Sequence, residues 1–277
     1  MATSSKTNRT SRKLLWTLFW CVLAFVYLFP YTWMVLTGFR HGVDTISMPP
    51  RFIFEPTLAG FKHLFEVTGF QKYIINSAVV TIVSVVLVIA VSAPAAYALA
   101  HVSRRGGALL VAILIARIIP AIAIGVPVYL IATRLHQLDT YQALVVINVA
   151  VNIPFAIWLM RSFFMEVHPT LREAAISDGC SEWQVFTKIM LPLVLGGMLA
   201  TAVFVFIGVW NEFLFALILT TSVSPTAPLA MLGFRTQYGV QWDAVGAAAF
   251  LVSTPVIVFA FIMQRYLVQG MTMGSVK

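Results

Sequence analysis

The 277 residues are 60% apolar and 10% charged, with a mean hydropathy of +0.91. A water-soluble exterior needs about 25% charged residues, whereas a lipid-facing exterior is itself apolar, so an ordinary soluble domain is excluded. The formal charge of +8 is dispersed in short clusters between long uncharged runs, which argues against a nucleic-acid-binding stripe.

Residues 1–13 are basic (Lys6, Arg9, Arg12, Lys13) and lead into an apolar run over 14–38. That run is too long for a signal peptide and lacks a small-residue cleavage site, so it reads as a retained first span. A hydrocarbon core about 30 Å thick requires about 20 apolar residues in a helix. Five further segments meet that length: 73–99, 108–132, 142–165, 197–221 and 244–265. The expected fold class is all-α, a polytopic membrane protein with six transmembrane helices over 14–265, an N-terminus at 1–13 and a tail at 266–277. Pro30, Pro94, Pro120, Pro127, Pro154 and Pro255 fall inside five of the six spans. Membrane helices tolerate them when neighbouring groups satisfy the freed carbonyls. Kinked helices lining a pathway and ordinary helix irregularity explain them equally well.

Lys and Arg set the orientation. The N-terminus, the 100–107 loop, the 161–196 loop and the C-terminus hold 11 of them, against 6 (Arg40, Arg51, Lys62, Lys72, Arg134, Arg235) on the other side. Such an excess marks the cytoplasmic face, so both termini are expected there. The first outside loop carries Asp44, Glu55 and Glu66 with Pro49, Pro50 and Pro56, and reads as a folded extracytoplasmic segment.

The 166–196 segment, between spans four and five, is amphipathic and well punctuated. Pro169 suits a first helical turn, a short helix follows to Asp178 with Glu173 near its positive end, and Gly179 supplies a left-handed stop. Ser181 with Gln184 forms a capping box for a second helix through Trp183, Phe186 and Ile189, which Pro192 is expected to end. The pattern is a helix, a sharp turn and a helix lying across the cytoplasmic face of the membrane.

Glu173-Ala174-Ala175, Gly179, Ile189 and Leu191-Pro192 match the spacing of the coupling loop, the EAA loop, of bacterial ATP-binding-cassette importer permeases, and on these residues the chain resembles that family. Trp210-Asn211-Glu212-Phe213 and the tail from Gln264 through Gly270, Met271 and Thr272 to Gly274 and Lys277 resemble the maltose-type carbohydrate-uptake branch, in its six-span subunit. The resemblance implies a type I importer permease fold with a cytoplasmic coupling helix, in a bacterial inner membrane. It implies a heterodimer with a second homologous permease, two ATP-binding cassette subunits that bind ATP and Mg, and an extracytoplasmic solute-binding protein. On the same ground Glu173, Ala174, Ala175, Asp178, Gly179 and Trp183 are expected to couple to the ATPase. Gly270, Met271, Thr272 and Gly274 are expected to reach its interface.

No Gly-x-x-x-x-Gly-Lys-[Ser/Thr] sequence occurs, so the chain has no phosphate-cradling loop and is not itself the ATPase. Glu173 is expected to pair with a basic group of that partner or to stabilise its own helix terminus. Polar groups at membrane depth usually face a bundle interior. Asn148 and Asn152 share a helix face, Trp210, Asn211 and Glu212 lie together in span five, and Arg117 lies in the middle of span three. Amides bond hydroxyls and an aromatic face stacks on a pyranose ring, so Asn148, Asn152, Trp210, Asn211 and Glu212 are candidates for the solute pathway. Hydrogen bonding between helices is the competing reading. For Arg117 an anionic group on the solute competes with a structural role, bonding carbonyls freed near Pro120 or pairing with Glu212, and the structural role is favoured. His41, His63, His101, His136 and His168 show no metal-binding spacing, and Cys21 and Cys180 no disulfide or metal pattern. An ion-coupled secondary transporter is the alternative class; Glu212 is the lone acid at depth and the chain halves do not repeat.

Overall fold

The computed structural model describes residues 4–49, 51–102, 105–237 and 239–272. It divides into two compact units, Met1–Gly69 with Gly233–Leu251, and Phe70–Leu232 with Val252–Lys277.

In the first unit, α1 (Ser4–Thr37) carries Pro30 within it, and its described side chains through Phe29 are almost all exposed, as a lipid-facing helix requires. The chain then turns through the short helices Gly42–Thr45 and Ala59–Lys62. A two-residue hairpin, β1 (Arg235–Thr236) and β2 (Gly239–Val240), precedes a long terminal helix, Trp242–Thr272. Gly38 meets the backbone of Gly246 and Ala247 so closely that a Cβ would lie 2.8 Å from the Gly246 carbonyl carbon. Phe39, Phe61 and Phe250 close the junction as an aromatic trio, and the Arg40 guanidinium lies between the Trp33 and Phe54 rings at 4.3 and 4.5 Å. The expectation of a folded first loop holds for the described part of this segment.

The second unit is built on α2 (Phe70–Tyr97) and a helix over Tyr141–Glu166, which pack along their lengths. They run in the same direction. Tyr141 donates to Asn76 near their starts (2.6 Å), and the Tyr97 and Phe164 rings meet near their ends (5.7 Å). Between them lie α3 (Gly106–Ile115), extended by a 3₁₀ turn Ala116–Ile118, and α4 (Ala121–Arg134). The Tyr141–Glu166 helix is α5. A helix over Leu195–Trp210 packs against both α2 and α5, burying Val88, Ala156, Val205 and Val209.

Two expected spans are not continuous helices. Segment 108–132 is bent by 84° between Gly106–Ile118 and Ala121–Arg134. Pro120 has no N–H for the helical ladder and forces the residue before it out of the helical region; Ile119 is extended at φ −66, ψ 122. Segment 197–221 breaks at Asn211, and a short helix, Leu214–Leu219, restarts beyond it. Pro192 also acts otherwise than expected. A π turn over Phe186–Met190 runs into Leu191–Leu193, where Pro192 takes a first-turn position that needs no N–H, and the chain bends by 77° only at Val194. Among the described residues four helices are long and apolar enough to cross a membrane, and up to six if each bent pair counts as one span.

Candidate functional site

The best-formed polar and exposed feature is the segment that follows α5. His168 caps α6 (Pro169–Ser177), its Nδ1 accepting from the Thr170 N–H, and Pro169 fills the first turn. After Asp178 the chain reverses at Gly179, whose φ of +87 is a conformation that L side chains rarely adopt. The Gly179 and Cys180 N–H groups donate back to Ile176 and Ala175 at 3.0 Å each, closing the helix end. Ser181 and Gln184 form the reciprocal capping box of α7 (Glu182–Val185).

One face of this helix–turn–helix is buried against the end of the bundle. Ala175, Val185, Phe186 and Met190 join Tyr97, Met160 and Phe164, and the Phe186 ring lies 5.3 Å from that of Tyr97. The opposite face is open: Glu173, Ala174, Asp178, Gly179 and Trp183 are exposed, Trp183 at 65%. Of the six residues expected to couple, five therefore present themselves together, and Ala175 instead packs inward.

Three residues absent from the sequence reading fix the segment in place. Glu182 receives a hydrogen bond from the Tyr97 hydroxyl at 2.7 Å and from Arg172 Nε at 3.3 Å, and its second oxygen pairs with Arg172 Nη2. The Glu182 partner holds the Arg172 pKa above its ordinary value against a smaller opposing effect of burial. Opposite charges flanking the Gly179 turn were a legible signal for Arg172 and Glu182; nothing local marks Tyr97. Nearby, His101 Nε2 contacts the Phe164 carbonyl at 2.8 Å and Arg161 donates to that of Leu99 at 3.1 Å, tying α2 to α5 at this end.

At the opposite end of α5, Asp139 is a second anchor that the sequence reading did not single out. Its carboxylate accepts from four backbone N–H groups and three hydroxyls of Thr221, Ser222, Val223 and Ser224, at 2.8–3.1 Å. Burial pushes this carboxyl up, but the four backbone donors together outweigh it and hold the group well below the usual carboxylate range. Asn76 adds bonds to the carbonyls of Val223 (3.3 Å) and Pro225 (2.8 Å).

The polar groups at membrane depth divide. Asn148 is buried and donates to the carbonyl of Leu144; Asn152 is half-buried, donates to that of Asn148, and turns Oδ1 toward Gly208. Trp210 corrects the stacking expectation: it is 3% exposed, stacks on Phe206, and donates to the Val252 carbonyl at 2.9 Å, so its ring is used within the chain. Asn211 is exposed at the break and donates to Ile207. Glu212 accepts from the N–H groups of Phe215 (2.7 Å) and Ala216 (3.1 Å), capping the restarted helix. Among the described residues the expected pairing of Arg117 with Glu212 is therefore absent, and so is its expected bonding to carbonyls. Among the described residues the Arg117 guanidinium has only the Phe155 ring, at 4.9 Å. Of the tail residues, Gly270, Met271 and Thr272 continue the terminal helix, beyond its expected end, and Gly274 lies outside the described residues.

An apolar bundle with two broken members, carrying at one end a rigid exposed helix–turn–helix and lacking an NTP-binding loop, has the build of a transporter's membrane subunit. The chain belongs to the family described as binding-protein-dependent transport system inner membrane component, whose model matches residues 88–273. It is thus a multi-pass inner-membrane permease of an ABC importer, with ATP hydrolysis in partner subunits. It is 94% identical over all 277 residues, the full length of both chains, to a probable ABC transporter permease protein, y4oR, of Sinorhizobium fredii (strain NBRC 101917 / NGR234). Over 254 residues it is 33% identical to the diacetylchitobiose uptake system permease protein DasC of Streptomyces coelicolor (strain ATCC BAA-471 / A3(2) / M145), covering 90% of this chain and 91% of that one. The fold is that of a chain in the crystal structure of a bacterial ABC transporter involved in the import of the acidic polysaccharide alginate, with a TM-score of 0.75 at 21% identity over 96% of this chain and 98% of that one.

Proposed function

We propose that this chain is one of two membrane-spanning subunits of an ATP-driven importer for a saccharide, and that residues 166–196 are the lever through which ATPase subunits move it. The observation that carries the reading is the one-sided helix–turn–helix: an exposed face of Glu173, Ala174, Asp178, Gly179 and Trp183 on a body bolted to α2 by Tyr97, Glu182 and Arg172. A bundle that cannot hydrolyse nucleotide must receive its motion mechanically, and rigid-body rocking around a central site is how such bundles alternate access. The parallel course of α2 and α5 supports putting the 100–107 and 166–196 loops on one face, and the excess of Lys and Arg there supports that face as cytoplasmic, together with both termini. Residues 14–265 form the permease domain, 1–13 and 266–277 its cytoplasmic ends, with Gly270 to Gly274 reaching toward the ATPase. The partners are a second homologous permease, two cassette subunits binding ATP and Mg, and an extracytoplasmic solute-binding protein. The saccharide class is supported by the relatives, among them a diacetylchitobiose uptake permease. Asn152 and Asn211, each with an amide oxygen that no described residue uses, and Glu212 beside the break are the pathway residues; Asn148 and Trp210 brace them.

The test is uptake by the whole importer in proteoliposomes. Uptake is expected to stop when the ATPase partner's hydrolytic residue is changed and to ignore ionophores. Glu173→Lys is expected to leave the subunit inserted while lowering solute moved per ATP hydrolysed; ionophore-sensitive uptake by this chain alone refutes the reading.

A further inference from the structure

The break in the third span carries more than a bend. Arg117 lies in the 3₁₀ turn between α3 and α4, about 17 Å along the helix from Gly106 at 1.5 Å per residue, which is mid-depth for a core about 30 Å thick. It opens on a cleft of about 400 Å³ whose other walls are apolar, including Ile119, Ile124, Ile147, Ala150 and Pro154. Arg117 is the one ionisable group lining that cleft among the described residues. Among the described residues the structural duties such an arginine could have are not performed: Glu212 is committed to backbone N–H groups, and no described carbonyl accepts from the guanidinium. Phe155 holds the group by one face, which leaves its edge of N–H donors directed elsewhere. A guanidinium in a cleft of low dielectric is a fork of donors matched to a pair of oxygens on a carboxylate, sulfate or phosphate, and its field selects negative charge.

We infer that Arg117 and the cleft at the break of the third span recognise an anionic group on the transported solute, a carboxylate, sulfate or phosphate, which makes the solute an acidic saccharide. The inference rests on the proposal that solute passes through this bundle. A neutral sugar would gain from amides and hydroxyls with balanced donors and acceptors, and would leave the Arg117 charge uncompensated in an apolar site.

Ala150 lines the same cleft and is exposed, so a thiol placed there reports the local field. In the assembled importer, with Cys21→Ser and Cys180→Ser removing the native thiols, Ala150→Cys is treated with negatively charged 2-sulfonatoethyl methanethiosulfonate and with its trimethylammonium counterpart. The anionic reagent is expected to be favoured by about tenfold relative to a free thiol, since a low-dielectric cleft with one sign of charge concentrates the opposite sign. Arg117→Gln is expected to return the ratio to that of the free thiol, and Arg117→Lys to keep most of it. Glucuronate is expected to slow the modification where glucose at equal concentration does not. A ratio that Arg117→Gln leaves unmoved, a thiol that neither reagent reaches because a lipid headgroup or the second permease's acid fills the cleft, or equal protection by glucose, overturns the assignment. The ratio is read without nucleotide, so it fails or stands separately from the coupling of ATP hydrolysis to uptake.

Discussion

Tyr97→Phe is the most discriminating perturbation of the proposed lever, because it deletes one oxygen and keeps the ring between Phe164 and Phe186. The hydroxyl donates to the Glu182 carboxylate at 2.7 Å. A bond to a charged partner is worth about 1.5–3 kcal/mol net when shielded. The Arg172 and Glu182 side chains are 22% and 43% exposed, so water replaces part of the loss and about 1 kcal/mol is a sounder figure. That is about a fivefold shift toward a segment released from the end of α2. In proteoliposomes holding the whole importer, ATP hydrolysis and solute uptake are measured together. Hydrolysis is expected to persist while solute moved per ATP falls severalfold, and Glu182→Ala, which also strips Arg172 of its partner, is expected to fall further. If Tyr97→Phe and Glu182→Ala both keep the parental ratio, the clamp transmits nothing, and Val185, Phe186 and Met190 alone hold the segment.

Gly179→Ala is expected to cost about 1–2 kcal/mol from its left-handed backbone alone, since no atom lies within 4 Å of the new Cβ; a lower thermal midpoint with membrane insertion unchanged checks it. Asp139→Asn is expected to destabilise the fold by about 1–2 kcal/mol after allowance for its partial exposure, read as a lower thermal midpoint, because an amide offers N–H groups to a cradle of donors. The pH dependence has a definite sign. The Asp139 carboxyl titrates lower folded than unfolded, so its contribution is complete above the unfolded value of about 3.9 and is lost as pH falls toward the folded one. The gap in midpoint between parent and Asp139→Asn is therefore expected to be constant from neutral pH down to about 5 and to narrow below about 4; a gap that widens on acidification refutes the cradle's role.

The sequence made the local chemistry readable wherever a residue type has few backbone options. Pro169, Gly179 and the Ser181/Gln184 pair mark a helix start, a left-handed turn and a capping box, and each is where the pattern puts it. Hydropathy likewise found the apolar segments, because burial in lipid needs length and apolarity and little else. It could not find the breaks at Pro120 and Asn211. A proline inside a membrane helix can kink it or end it, and which occurs depends on whether neighbours satisfy the freed backbone groups; at the Asn211 break, where no proline stands, it is the Glu212 carboxylate that accepts the N–H groups of the restarted helix. Tyr97 was illegible for another reason: its partner Glu182 is 85 positions away, and only the parallel packing of α2 and α5 brings them together.

That packing explains why the anchors stand at opposite ends of one helix pair. Near the start of α5, Asp139 fastens the 221–224 segment, and Asn76 and Tyr141 tie α2 to α5; at the other end Tyr97 holds Glu182 and Arg161 holds the Leu99 carbonyl. A pair joined at both ends moves as one body. Neither broken helix pair offers that stiffness, since an interrupted ladder bends at the gap without losing further hydrogen bonds. Force delivered to the proposed lever would thus displace α2 and α5 together and be absorbed at the breaks near Pro120 and Val194. The cleft that holds Arg117 lies between one of those breaks and the α5 face, where on the proposed mechanism the moving and yielding parts of the bundle would meet.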